Sequence, residues 1–250
     1  MALLPIVAGG PGDQFNVNAN QQGHPLGSSM LFADSRRYRY CQAAATEIAA
    51  ALLCQQTINN ANRDELAVAA AVAIGDRIIT VTNGSAVIAV DDLADGYVNI
   101  EDDAGKGHLY TIKTNNAAAG AAVVTLTLYE PIQVALTTAS TVVLFINPYA
   151  ITIVHPSPAT AKLTGVTPRV LPASEFGWIQ DKGPASLLGG TATTALVINE
   201  LAADHSTVDG AVQGVLLVEG TPNVAGGQHT VGVVMEVAAD GEWSLIDLDV

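Results

Sequence analysis

Aromatic and charged side chains are scarce in this 250-residue sequence, at 5% and 14% of all residues. Charged residues usually make up about a quarter of a soluble protein, so much of the surface must consist of small polar residues, glycine and backbone. The apolar residues, 49% of the total, are mostly Ala and Val, which fill thin sheets and tight interfaces better than a deep core. We expect such a surface to be partly covered by other subunits.

Basic residues are also few, since 10 Lys and Arg accompany 24 Asp and Glu, for a net charge of -14. Nucleic-acid binding requires clustered Lys and Arg that release counterions, so nucleic acid is excluded as the main partner. Residues 1–40 differ from the rest, because they carry Arg36, Arg37 and Arg39 against two aspartates, a net +1 that leaves -15 elsewhere. An acidic body stays soluble, and a basic cluster can dock on an acidic surface.

Disulfides and membrane segments are not expected. Cys41 and Cys54 lie thirteen residues apart in one stretch of predicted helical character, which would hold them about 20 Å apart, so we predict two free thiols. The N-terminus has no basic n-region, and Pro5 and Gly9 interrupt its apolar run. Neither a signal peptide nor a membrane span is therefore predicted, and we expect synthesis and assembly in a cytoplasm.

Residues 1–36 are rich in Gly, Pro, Asn and Gln and have neither a helical nor a strand period. This composition predicts an extended N-terminal arm that becomes ordered only against a partner. A disordered tail is the alternative. The arm is favoured because the segment also contains large apolar residues, among them Leu3, Leu4, Phe15 and Phe32.

The Ala-rich stretch that follows predicts one short helix at residues 42–56, since Ala is the best helix former and Ile48 and Leu52 have helical spacing. The basic and aromatic cluster Arg36 to Tyr40 precedes it. We interpret this cluster as a surface that stacks on or pairs with a neighbouring chain. A solvated strand edge is the alternative.

Short alternating segments separated by turn residues dominate the rest and predict a mainly β protein with two small sandwich-like or barrel-like domains. Pro156 and Pro158 mark a linker. We therefore expect an arm at 1–36, a helix plus first β domain at 37–160 and a second β domain at 161–250. In the last strand, Trp243, Leu245, Asp247 and Asp249 share one face.

The stretch at 174–188 contains one of the two tryptophans. Its pattern predicts a hairpin, with a strand at 176–180, a turn at 181–184 and an apolar return. We predict that Trp178 is a mostly buried anchor of the second domain, and that Gly177 and Gly183 allow the backbone to approach closely.

Several motifs resemble reactive or ligand sites, but their spacing favours structural roles. Asp204, His205 and Ser206 are the residue types of a nucleophilic triad, yet adjacent loop residues cannot stack as nucleophile, base and orienting acid. Residues 91–102 match a calcium loop in part, but Leu93 stands at a ligand position. The histidines lack metal-ligand spacing. We predict no catalytic residue, no cofactor and no metal, and a protein that is not an enzyme.

Five segments, taken together, carry a family resemblance. They are RYRYCQAA at 37–44, HLYTIKTN at 108–115, EPIQVAL at 130–136, FGWIQDKGPASLL at 176–188 and WSLIDLDV at 243–250. Their combination resembles virion structural proteins of tailed bacteriophages, in particular capsid decoration, or cement, proteins. The resemblance implies β-rich subunits that form homotrimers on the capsid exterior and stabilise the shell through an N-terminal arm.

We therefore expect a virion protein, assembled in the host cytoplasm, that binds the major capsid protein and itself, with no membrane partner. The arm and the basic cluster supply the candidate contact residues Leu3, Leu4, Phe15, Phe32, Arg36, Arg37, Tyr38 and Arg39. The alternative is a receptor-binding or glycan-binding fibre or head-spike module. Its stacking platforms would be Tyr97, Tyr110, Trp178 and Trp243.

Overall fold

A computed structural model describes residues 6–190, 194–215 and 228–250. Strands make up 42% of the structure and helical residues 3%, and no helix of the described residues reaches seven residues. The prediction of a mainly β protein is therefore confirmed. Within the described ranges, no helix combines the length and the apolar character needed to cross a membrane.

Strands and two short 3₁₀ turns, Asp13–Phe15 and Ala61–Arg63, account for the regular structure of the described residues. In chain order the strands are β1 (Val7–Ala8), β2 (Ser29–Leu31), β3 (Arg37–Gln42), β4 (Leu53–Gln56), β5 (Leu66–Ala67), β6 (Ile78–Thr82), β7 (Tyr97–Asp102), β8 (Leu109–Asn115), β9 (Val123–Leu128), β10 (Thr141–Phe145), β11 (Thr152–Val154), β12 (Leu163–Val166), β13 (Phe176–Leu188), β14 (Leu201–Asp204), β15 (Val212–Gly214), β16 (Thr230–Glu236) and β17 (Trp243–Asp249).

The chain divides into two compact units. The inserted unit is Asn59–Asn147, and the main unit consists of the described residues up to Ile58 together with Pro148–Val250. In sequence, the inserted unit thus interrupts the main unit between β4 and β11. This division differs from the predicted boundaries at 36 and 160, because β3 and β4 pair with strands that follow Pro148.

The inserted unit is a six-stranded, nearly closed, barrel-like sheet with the order β5-β10-β7-β8-β9-β6. Its two end strands meet where Val68 bridges Val81, and the Ala69 N–H donates to the Thr80 carbonyl at 2.8 Å. Alternate residues of each strand point inward, as the period of a strand requires. Buried members of this core include Ile79, Val98, Ile112, Leu126 and Leu144.

The main unit is built on a sheet with the order β1-β2-β3-β13-β17-β16-β14-β15, to which β4, β11 and β12 are attached. Its central strand is β13, which pairs with β3 and β12 as well as β17. Three separate apolar clusters pack against this sheet. The position of β13 among them explains why a long stretch around Trp178 is buried.

The predicted hairpin at 176–188 is wrong, because these residues form the single strand β13. Residues 176–182 pair with β3, and residues 182–188 pair with β17. Gly183 has a φ of +86°, and the register shifts between Gln180 and Lys182. The turn-like sequence therefore bends the strand instead of reversing it, and glycine is common at such irregularities in strands.

The helix predicted at 42–56 is also wrong, since these residues form the end of β3, a loop and β4. Helix propensity is a weak preference that tertiary contacts override. Here β4 pairs with β11 and with β12, and Leu53 and Cys54 are fully buried. Pairing with distant strands thus determines the local structure of this Ala-rich stretch.

Residues 6–36 lie on the main unit and do not extend from it as an arm. Strand β1 pairs with β2, β2 pairs with β3, and Asn18 bridges Phe176 of β13. The Met30 side chain is 1% exposed and packs in the cluster around Trp178. The apolar residues of this segment are therefore used within its own chain.

The same local structure occurs six times, as three reciprocal pairs of loops. Each loop places one buried residue opposite its counterpart, and each of the two N–H groups donates to the other residue's carbonyl at 2.9 or 3.0 Å. The pairs are Ile48 with Leu171, Val72 with Leu136, and Ile88 with Ala118. The first pair belongs to the main unit and the other two to the inserted unit.

Candidate interaction surfaces

The basic cluster is neutralised inside the main unit. Asp181 lies on β13 with a side chain that is 3% exposed. Its carboxylate accepts from Arg37 Nε at 2.8 Å and from Arg39 Nε at 2.9 Å. The hydrogen bond to Asp181 raises the pKa of Arg37. Two of the three arginines predicted to meet a partner thus pair with an acidic residue of their own chain.

Arg36 is held by neighbours in sequence. Its Nε donates to Asp34 Oδ2 at 2.7 Å, its Nη1 donates to the Tyr38 hydroxyl at 3.1 Å, and its guanidinium lies 5.1 Å from the centre of the Phe32 ring. Burial raises the pKa of Tyr38. Arg36 therefore stacks and pairs locally, as the composition of the cluster suggested, but with groups of the same chain.

Three predicted contact residues, Phe15, Arg36 and Tyr38, line one cavity of about 220 Å³ in the main unit. Other walls come from the segment after β12 and from the bend of β13. They include Thr167, Pro168, Gln180, Pro184 and Ser186. Several polar groups of this cavity already bond within the chain, since Gln180 Nε2 donates to backbone carbonyls of β13 and the Thr167 hydroxyl donates to the Ala49 carbonyl. Leu3 and Leu4, the remaining arm residues of the prediction, lie outside the described residues.

Trp178 is buried at 7% exposure, as expected. Its ring lies 5.0 Å from that of Tyr40 and 5.5 Å from that of His24, and Phe176 stacks on Tyr40 at 6.1 Å. A side chain at Gly177 would place its first carbon 2.8 Å from Leu171 Cδ1. The backbone therefore approaches its neighbour closely beside this aromatic cluster.

A second tryptophan lies on a sheet face that the described residues leave exposed. Five large apolar side chains on β14, β16 and β17 are between 37% and 56% exposed, and Trp243 is the most exposed of them. We call this set the Trp243 face, and it comprises Leu201, Val233, Met235, Trp243 and Leu245. The alternation of β17 predicted that Trp243 and Leu245 share a face, and the structure shows that this face is the exposed one.

The charges around the Trp243 face are acidic. Strands β14, β16 and β17 contain no Lys or Arg. Glu236 and Asp247 are exposed, and Asp247 lies opposite Pro184 on one side and Val233 on the other. The nearest basic residue by register, Lys182 of β13, pairs with Asp249 at 3.3 Å. The sequence alone does not show that these residues share a face, because that depends on the order of the strands in the sheet.

Asp204 and His205 are buried, and the triad-like residues hydrogen-bond to neighbouring backbone and side chains. Asp204 Oδ2 accepts from the Ala159 N–H at 3.1 Å, and His205 Nδ1 accepts from two backbone N–H groups, those of Thr207 and Val208, at 3.1 and 3.0 Å. The Ser206 hydroxyl lies 3.4 Å from Gln213 Oε1. These side chains thus point to three different sets of partners.

The acidic residues at 91–102 likewise serve turns of the inserted unit. Asp92 Oδ2 accepts from the Ala89 N–H at 2.8 Å, and Asp95 Oδ1 accepts from the Tyr129 hydroxyl at 3.1 Å. Burial raises the pKa of Asp95. Among the described residues, no group of three or more His, Cys, Asp and Glu side chains is arranged to hold a metal ion.

Both cysteines are free thiols, as predicted, and the structure shows that both are buried. Cys41 lies on β3 and Cys54 on β4, and not in a helix as the sequence predicted. Burial raises the pKa of Cys41 to about 12 and also raises the pKa of Cys54. The thiolate forms that react and bind metals are therefore strongly disfavoured in the folded protein.

Comparisons of the chain with protein-family models, with curated proteins and with solved structures found no match.

Proposed function

We propose that this chain is a structural virion protein, a capsid decoration protein that binds the outer surface of the shell as an oligomer and stabilises it. The observation that carries this proposal is the Trp243 face, because exposed patches of several large apolar side chains are typical of surfaces that bind another protein. The low fraction of charged residues and the resemblance of five segments to phage virion proteins point in the same direction.

The sheet, and not a free arm, supplies the contact surface in this proposal. The described part of the N-terminal segment pairs with β3 and bridges β13, and the arginines of the basic cluster pair internally. Docking therefore depends on an exposed face that the folded main unit presents. Association of several subunits would strengthen the attachment, since linked contacts bind more tightly than single ones.

The proposal is tested with heads of the encoding phage that lack this chain. Purified chain added to such heads should co-sediment with them and raise the temperature at which they release their contents. Quantitative mass spectrometry of intact particles should find the chain at high copy number relative to the major capsid protein. Absence of the chain from particles, or presence at only a few copies per particle, would contradict the proposal.

A receptor-binding or glycan-binding module remains the second candidate, and the exposure of Trp243, at 56%, is the observation that favours it. An exposed indole can stack on a sugar ring. Two of the four predicted platforms, Trp178 and Tyr110, are buried. Binding on a glycan array that is lost in Trp243→Ala, combined with a low copy number per particle, would favour this function over decoration.

A further inference from the structure

We infer that the Trp243 face binds a protein surface with an apolar centre bordered by lysine and arginine side chains. This inference deepens the proposed function and rests on it for the identity of the partner, the outer surface of the capsid shell. It concerns the chemistry that the partner must present, which is determined by the side chains of β14, β16 and β17.

The apolar part of the face is continuous across three neighbouring strands. Leu201 of β14 lies opposite Val233 of β16, and Leu245 of β17 lies opposite the end of β16 next to Met235. Trp243 continues the row along β17, two residues before Leu245. A large aromatic residue among smaller apolar ones is the usual composition of an interface centre.

The charged part of the face has one sign. Asp247 lies between Pro184 and Val233, and Glu236 lies opposite Leu245, so acidic groups stand within and beside the apolar row. Lys182, which is already paired with Asp249, is the basic residue nearest to them by register. A partner that covers the face must supply the opposite charge, because burying carboxylates without a counter-charge is costly.

The charge pattern also argues against a second copy that binds through this same face. A two-fold contact brings the same patch of both subunits together. The Asp247 and Glu236 carboxylates of one subunit would then lie close to those of the other, and like charges in an interface disfavour association. A basic partner turns the same residues into favourable contacts.

The test measures binding of the full-length chain to heads that lack it, with two variants and a matched control for each. Trp243→Ala should weaken binding by about 30-fold or more, as expected for an aromatic residue at an interface centre. Leu109→Ala, at a residue of β8 that is 59% exposed, should change binding by less than about threefold. Circular dichroism and thermal unfolding confirm that each variant is folded.

The charge requirement is tested by the salt dependence of binding. Binding of the unsubstituted chain should weaken as NaCl increases, because salt screens the attraction. The dependence should become shallower in Asp247→Asn, and it should not change in Asp102→Asn, which alters an exposed acid on β7 of the inserted unit. An equal slope in all three proteins would overturn the inference.

Other outcomes separate this inference from the proposed function. If the unsubstituted chain fails to bind heads, the proposed function fails. If it binds, but Trp243→Ala and Leu109→Ala affect binding equally, the function stands and the docking face is wrong. Sedimentation velocity of the unsubstituted chain and of Trp243→Ala gives a further test. Conversion of an oligomer to a monomer by this substitution would identify a second copy as the occupant and would also overturn the inference.

Discussion

Asp181 gives the basic cluster an internal structural role, because its carboxylate pairs with two of the three arginines. It accepts hydrogen bonds from Arg37 and Arg39, which precede it by 144 and 142 positions. Bringing two guanidinium groups to a mostly buried position without a counter-charge would be unfavourable. The Asp181 carboxylate therefore allows β3 and β13 to pair at the positions of the two arginines. This pairing could not be predicted, because Asp181 is so far from both arginines in the sequence.

We predict that Asp181→Asn lowers the free energy of unfolding by about 2–3 kcal/mol, because both arginines lose their charged partner; their partial exposure keeps the loss below that of a fully buried pair. Urea unfolding followed by circular dichroism measures the change. Asp249→Asn is the matched control, since it removes an exposed carboxylate that pairs with Lys182, and it should cost less than about 1 kcal/mol. Equal losses in the two variants would show that Asp181 makes no special contribution.

At the scale of elements, the sequence predicted strands best where one face is buried and the other is exposed. Strand β17 alternates strictly, and so does most of β9, because the period of two is visible without knowledge of the partner strands. The same pattern predicted that Trp243 and Leu245, the part of the Trp243 face on β17, lie on one side of the strand. The other part of the face, on β14 and β16, depends on strand order and could not be predicted.

The failures at this scale have one physical cause, which is pairing between distant strands. The Ala-rich residues before β4 have high helix propensity, but β4 lies between β11 and β12. The Asp-Lys-Gly-Pro segment has turn chemistry, but β3 and β17 each pair with one half of β13. Local preference was overridden in both cases, as it often is when a segment is buried between partners.

Strand β2 provides a test of whether the N-terminal segment belongs to the fold. Met30 is 1% exposed and Leu31, its neighbour, is 40% exposed. We predict that Met30→Ala lowers the free energy of unfolding by about 2–4 kcal/mol, because it leaves a cavity against Tyr38 and Trp178. Leu31→Ala should cost less than about 1 kcal/mol. Similar small effects for both residues would show that this segment contributes little to stability in solution.

At the scale of the whole molecule, the central feature is that one unit interrupts the other. Strands β4 and β11 belong to the main unit and pair with each other, with Gln56 opposite Thr152. The Thr57 N–H also donates to the Ile151 carbonyl at 3.1 Å. The two points where the chain leaves and re-enters the main unit are therefore adjacent, as the two strands of a hairpin are. Asn59, Asn60 and Asn62 mark the first point in the sequence, but pairing between strands on either side of the insertion is not visible there, so the sequence predicts other boundaries.

This adjacency predicts that the main unit folds without Asn59–Asn147 when a short Gly-Ser linker joins Ile58 to Pro148. A flexible linker can close an antiparallel pair at small entropic cost, and the apolar clusters of the main unit contain no residue of the inserted unit. The shortened protein should unfold cooperatively and retain the blue-shifted fluorescence of a buried Trp178, measured in a Trp243→Phe background. Red-shifted emission and gradual unfolding would show instead that the main unit requires the barrel-like unit in order to fold.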